Sequence, residues 1–365
     1  PTQGYARDFV QTVMAPLLGD IKSRGIRVLA NAGGVNPVAC REALQALCEK
    51  AGVNLKIALV LGDDLLPDKK KLADADTTEM TTGEPMPPMM VSLNAYLGAP
   101  GLVAALEQGA DIMITGRVAD SALALAPLVH EFGWSWTDYD KLAQGSLAGH
   151  LLECGAQSTG GNFTDWQSVA NGFENMGFPI AEVSASGDFT ITKPPETGGL
   201  VSRGTVAEQL VYEIGDPRAY ILPDVVCDFT GVTLEETGEN QVTVAGAKGL
   251  PPTDTYKVSG TWPDGFKCTV TFLLAGINAQ AKAQRVADAI LAKTSRMFSD
   301  KGFADYTNTH VELLGTEATY GPHARASKCR EVVVKITVAH AKKEALVLFS
   351  REIAQAATGM APGIT

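Results

Sequence analysis

Between residues 6 and 155 the apolar positions of this chain keep switching between two periods. In "ARDFVQTVMAPLLGDIKSRG" Phe9, Val10, Val13, Met14, Leu17, Leu18 and Ile21 recur at helical spacing and stop at Gly25. "IRVLANA" (26–32) is a short β-branched run and predicts a strand. "PVACREALQALCEKAG" predicts a helix with Pro37 at its first position and an end near Gly52. "LKIALVLGDD" (55–64) and "DIMITGR" (111–117) read as two further strands. "SLNAYLGAPGLVAALEQGA" (92–110) reads as helical with an interruption at Pro100-Gly101, and "VADSALALAPLVHEFG" as a third helix. Short apolar strands separated by helices are the pattern of a parallel sheet covered on both faces. Residues 1–165 therefore predict an α/β domain with glycine-rich strand–helix turns.

The pattern changes further along. Residues 64–91 are polar, proline-containing and mixed in charge, as in a lid-like loop or insertion. Residues 166–250 predict a strand-rich connecting region, with a hairpin around Ser186-Gly187-Asp188 and one helix in "TVAEQLVYEIG". In 251–365, "TDTYKVSGTW" and "FKCTVTFLLAG" flank the turn signal Pro263-Asp264-Gly265. A helix, two strands and a helix follow, which predicts a ββαββα domain. The fold class expected is α/β, a parallel-sheet N-terminal region with a C-terminal α+β layered domain.

Composition narrows the partners. A net charge of −11 argues against a nucleic-acid backbone or an anionic membrane surface. No apolar run approaches the roughly 18–20 residues of a membrane span. The six cysteines are scattered without C-x-x-C pairing, so reduced thiols in a reducing compartment are expected, the cytoplasm or a mitochondrial matrix. "PTQGYARDFV" carries no secretory signal, and it opens without methionine, which leaves room for an upstream segment.

In an open parallel sheet, ligands bind at the carboxyl ends of the strands. Three such ends stand out here. "NAGGVNP" offers Gly33 and Gly34 for close backbone approach and Asn31 and Asn36 as amide partners, just before a helix N-terminus. It matches neither a dinucleotide nor a P-loop fingerprint. Asp63-Asp64 is a carboxylate pair at the second end. At the third, Arg117 is suited to clamp a carboxylate or phosphate, and Asp120 and Ser121 follow it. Each feature also has a plain structural account: a tight turn, a solvated cap, an internal ion pair. A fourth candidate is "GHLLECGAQSTGGN". His150 and Glu153 share a helix face, Cys154 follows, and Thr159-Gly160-Gly161-Asn162 forms a second double-glycine turn. No further His or Cys is spaced to complete a metal site, and no resident cofactor is expected. Cys154 reads as a buried small hydrophobe before it reads as a nucleophile. His310, His323 and His340 have no visible partner.

Taken together, "GYARDFV", "RVLANAGGVNPVACREAL", "VLGDDLL", "GEPMP", "VSLNAYLGAPGLVAALEQGADIMITGRVADSALALAPLVHEFGW" and "GHLLECGAQSTGGNF" resemble the acyclic terpene utilisation protein family. The resemblance spans nearly the whole chain. It implies an α/β N-terminal region, a ferredoxin-like C-terminal domain in some members, and degradation of branched terpenoids through acyl-CoA thioesters. It further implies a strand and glycine turn before residue 4 and more chain after "MAPGIT".

Three readings of function follow. In one, the protein is a lyase or hydratase on a branched acyl-CoA or related carboxylate. Arg117 holds an anionic group, Asp120, Asp63 or Asp64 serves as acid or base, and the two double-glycine turns cradle phosphate or an enolate oxygen. In a second it is a non-catalytic accessory subunit, binding a partner such as an acyl-CoA carboxylase or forming a homo-oligomer. A third, a ligand sensor, would have the cleft without shifted titratable groups. Convergence of Asn31, Asp63, Arg117 and Asn162 on one cleft separates the first from the second.

Overall fold

A computed structural model describes residues 3–326 and 328–365. Contacts divide the chain into two units, Pro1–Trp262 and Pro263–Thr365.

The first unit opens with a π-wound turn, Phe9–Met14, that runs into helix α1 (Ala15–Arg24). Gly25 ends it in the left-handed conformation. Then come β1 (Val28–Ala30), α2 (Pro37–Ala51), β2 (Ile57–Val60), the short α3 (Lys69–Asp74), β3 (Ser92–Ala95), α4 (Pro100–Glu107), β4 (Ile112–Thr115), α5 (Ala122–Phe132) and α6 (Tyr139–Glu153). Strands β1, β4 and β2 form the expected parallel sheet with β4 in the middle, Val28 and Ile57 both facing Ile112. Every residue of β4 is buried. Ile112 and Ile114 pack with Val10, Met14, Leu18, Cys40 and Leu44 on one face. Met113, the residue between them, packs with Leu102, Leu106, Leu125 and Ala126 on the other. Each fully buried side chain of this size contributes about 1.5–3 kcal/mol, and the alternation holds helices on both faces.

One expectation fails here. Residues 92–95, read as helical, are a strand that pairs antiparallel with Val258–Thr261. Its other edge bonds to the loop after β2, Ala95 N–H to the Asp63 carbonyl at 2.8 Å and Leu65 N–H to the Leu93 carbonyl at 2.7 Å. The helix starts only at Pro100, a residue preorganised for a first helical position.

The unit continues with the hairpin β5 (Ile180–Val183) and β6 (Phe189–Thr192), turning at the expected glycine, and α7 (Arg203–Val211), started by a Ser202/Thr205 capping box. Next are β7 (Tyr220–Ile221), β8 (Val226–Asp228), β9 (Thr233–Gly238), β10 (Gln241–Ala245), β11 (Lys248–Leu250) and β12 (Val258–Thr261), the partner of β3. They complete the sheets β5-β6-β10-β9 and β11-β8-β7. Helix α6 is buried from Leu142 to Leu151. Its Gln144 is satisfied there, donating to the Val244 carbonyl and accepting from Ala247 N–H, both at 2.9 Å.

The second unit holds β13 (Phe266–Ala275), α8 (Ala279–Asp300), β14 (Asn308–Leu314), β15 (Glu331–His340), α9 (Lys343–Arg351) and the short α10 (Ala356–Gly359). Its antiparallel sheet runs β13-β15-β14. The order is βαββα rather than the expected ββαββα, because Val258–Thr261 pairs within the first unit and not with Phe266–Ala275. The unit has its own core around Val286, Ile290, Phe298, Val334, Ile336 and Phe349. His340 is buried in it, with Nε2 donating to the Ala304 carbonyl and Nδ1 accepting from Lys342 N–H.

Candidate functional site

Because β1, β2 and β4 are parallel, the turns after Ala30, Val60 and Thr115 lie along one edge of the sheet. The first turn is fastened to the third by Gly33 N–H, which donates to the Thr115 carbonyl at 3.1 Å. Both glycines are demanded by the chain itself. A Cβ on Gly33 would stand 2.4 Å from the Thr115 oxygen, and one on Gly34, at φ +54°, would stand 2.5 Å from the Gly4 oxygen. Asn36 caps α2, its Oδ1 accepting from Ala39 N–H at 3.2 Å.

The two aspartates of the second turn part company. Asp63 is 4% exposed and points inward. Its Oδ2 accepts from Arg117 N–H at 2.7 Å and from Asn94 Nδ2 at 2.9 Å, tying the second and third turns together. Asp64 is exposed and accepts from Leu66 N–H at 3.0 Å, starting the insertion that follows.

The third turn carries the side chains that face open space. The Arg117 guanidinium lies over the Tyr96 ring, 5.1 Å from its centroid, and Lys257 Nζ lies 5.5 Å from the same centroid. Asp120 Oδ1 accepts from Asn31 Nδ2 at 3.0 Å. The walls around Asp120 push its carboxyl above the usual range by desolvation. Arg117 and the Asn31 hydrogen bond pull it down, and Glu213 pushes it up. Ser121 is buried at the start of α5.

Two cavities meet at this edge. The first, about 490 Å³, is lined on its polar side by Asp120, Ser121, Glu153, Glu213, Tyr96 and Lys257, and on its apolar side by Ala119, Ile221, Leu222 and Pro223. The second, about 410 Å³, is lined by Asn31, Gly34, Arg117, Asn94 and the hydroxyls of Ser92, Ser259 and Thr261, with no carboxylate in its wall. The Asn31–Asp120 hydrogen bond joins the two walls, since each residue lines a different cavity.

The whole chain, residues 1–365, matches the profile of the acyclic terpene utilisation family protein AtuA. The protein belongs to the AtuA family. No curated protein and no solved structure matches it. The family ties this chain to acyclic terpene utilisation, as the sequence motifs implied.

In this AtuA-family chain the structure brings together Asn31, Gly34, Arg117, Asp120 and Ser121, with Asp63 fastening the turns beneath them. Asp64 stands apart. Thr159, Gly160, Gly161 and Asn162 line neither cavity. Thr159 Oγ1 donates to the Ala156 and Gly177 carbonyls, its own carbonyl accepts from Leu200 N–H, and Gly160 packs on Val169. That turn braces the segment leading to α7.

Sequence reasoning missed Tyr96, Glu213, Tyr220 and Lys257. No local pattern marks them; in the structure Glu213 sits at φ +59°, a conformation that costs a residue with a side chain. Tyr220 is pushed up to about 12, chiefly by burial and next by Glu153, and burial raises the Cys154 thiol. All six cysteines are unpaired. Among the described residues, no group of three His, Cys, Asp or Glu is placed to hold a metal ion, and no helix is long and apolar enough to cross a membrane.

Proposed function

We propose that the joined cavities bind a branched, unsaturated acyl thioester of acyclic terpenoid breakdown, or the related carboxylate, and that Asp120 handles a proton as water is added across its double bond or removed. The coenzyme A thioester enters as substrate. The observation that carries this reading is Asp120 itself. Its proton affinity is raised by the cavity walls, its orientation is fixed by Asn31, and it lines the cavity that has both carboxylates and an apolar wall, beside the hydroxyl-lined one. Ile221, Leu222 and Pro223 suit a branched hydrocarbon chain. Arg117, with the Ser92, Ser259 and Thr261 hydroxyls, suits an anionic group. Family membership supplies the terpenoid class of compound.

The test is turnover of a branched enoyl-CoA, followed as loss of the conjugated double bond. Asp120→Asn keeps the size and the Asn31 contact and removes the carboxyl that takes up and gives back the proton, and general acid–base catalysis of this kind contributes about 10²–10⁴-fold. A fall of that order with the thioester still bound is the expected result. Undiminished turnover in Asp120→Asn would overturn the reading. Binding without turnover in either protein would leave an accessory role, with a partner such as a carboxylase supplying the chemistry.

A further inference from the structure

The last turn of helix α6 carries a buried imidazole next to the cavity of Asp120. His150 is 1% exposed. Its Nε2 lies 2.9 Å from the Gln209 carbonyl, which only accepts, so Nε2 carries a hydrogen. Gln209, itself buried, returns the contact by donating Nε2 to the His150 carbonyl at 2.8 Å. The ring is thus held on both sides of the α6–α7 contact, with Tyr220 packed against it at 6.0 Å between centroids. His150 Nδ1 then lies 2.9 Å from Glu153 Oε1.

That last contact needs one proton. Either an imidazolium N–H donates to a carboxylate, or a carboxyl O–H donates to the ring nitrogen. In both forms the pair holds one proton more than a neutral imidazole beside an ionised carboxylate. The other end of the pair is open: the Glu153 side chain is 16% exposed and lines the same cavity as Asp120. Glu153 is also the last residue of its helix, where the backbone dipole disfavours a carboxylate, so the position is poor for stability unless a proton or cation offsets it. Close packing brings the two carboxyls into one cavity. Gly149 lets α6 approach the turn before α5, and a Cβ there would stand 2.6 Å from Ser121 Cα.

We propose that Glu153 is the second proton-handling group of this cavity, and that His150, clamped by Gln209, is the positioning residue that orients it and shares a proton with it. The proposal rests on the hydration reading above. In the forward step, a water oxygen bonds to the β-carbon and gives a proton to ionised Asp120. The electron pair of the double bond takes a proton from Glu153 at the α-carbon, leaving the His150–Glu153 pair one proton short. Transfer from Asp120 to the pair through solvent restores both, so protons and charge balance over the cycle. Besides Asp120, the charged or titratable groups that share this cavity with Glu153 are Glu213 from the segment after α7, Tyr96 after β3, Tyr220 on β7, and Tyr256 and Lys257 before β12, with Cys154 beside it at the helix end.

Two measurements on the full chain test it. In turnover of the branched enoyl-CoA, Glu153→Gln should lower kcat about 10²-fold, in the range of general acid catalysis. KM should stay nearly unchanged, and one limb of the pH–rate profile should disappear. Loss of turnover in Asp120→Asn with full turnover in Glu153→Gln would overturn this inference alone, whereas full turnover in Asp120→Asn would overturn the hydration reading. The second measurement needs no activity. With nitrogen-labelled histidine, and the His150 signals assigned through the ring contact with Tyr220, Glu153→Gln should shift Nδ1 and leave Nε2 in place. An Nδ1 signal that Glu153→Gln leaves unmoved would overturn the pair itself.

Discussion

At the scale of single residues, the direction a carboxylate faces decides its work in this fold. Asp63 faces inward and spends its acceptors on Arg117 N–H and Asn94 Nδ2. Asp63→Ala should leave two donors unpaired, at about 1–3 kcal/mol each. Chemical denaturation should therefore show a loss of roughly 2–6 kcal/mol. Asp224 faces the start of α4, accepting from Ala99 N–H at 2.9 Å, and burial pushes its carboxyl up to about 6 from 3.8. A folded value above the unfolded one means that ionisation works against folding. Its stabilising contribution is complete below pH 3.8 and is lost as pH rises through about 6. The lost amount is ~3 kcal/mol. Asp224→Asn keeps an acceptor for Ala99 and cannot ionise. Unfolding measured across pH should find it more stable than the parent near neutrality, with the gap closing towards pH 4. Sequence made Asp63 and Asp120 visible as strand-end carboxylates, because parallel strands place their turns on one edge. It could not separate their roles, since Asp63's partners Asn94 and Arg117 and Asp120's partner Asn31 arrive from distant parts of the chain.

At the scale of elements, the site depends on how closely α6 approaches the turn before α5. Gly149→Ala would drive a methyl into the Ser121 backbone. Overpacking of this kind costs about 1–3 kcal/mol. The variant should lose that much stability in urea and lose enoyl-CoA turnover with it, because Asp120 and Glu153 can no longer share one cavity. An unchanged urea midpoint would show that the contact is slack. Helices α1, α2, α5, α7, α8 and α9 and the three parallel strands were legible from periodicity, for each buries a stripe or a run of apolar residues, while α3, which buries none, fell in the stretch read as a loop. Strand β3 was not. "SLNA" alternates over four residues only and runs without a break into the apolar stretch before the helix, and its partner Val258–Thr261 lies more than 160 residues away. The same pairing removed the first strand from the expected C-terminal domain.

At the scale of the whole molecule, the chain has separate cores on either side of residue 262. Residues 263–365 expressed alone should fold and melt cooperatively on the core of α8, α9 and β15, and a non-cooperative profile would contradict that independence. The site belongs to the first unit and is assembled from four widely spaced stretches, around residues 31–35, 92–121, 153 and 213–261. That spacing is why the strand-end residues could be read in advance while Tyr96, Glu213, Tyr220 and Lys257 could not. The most direct test of the central claim is thermal shift of the full chain against free CoA, branched enoyl-CoAs and the corresponding free acids, with Arg117→Ala alongside. Tm should rise with the branched enoyl-CoA and little with CoA alone, and the rise should be lost in an Arg117→Ala protein of near-parental stability. A flat response from protein that unfolds cooperatively, or an equal rise in Arg117→Ala, would contradict it.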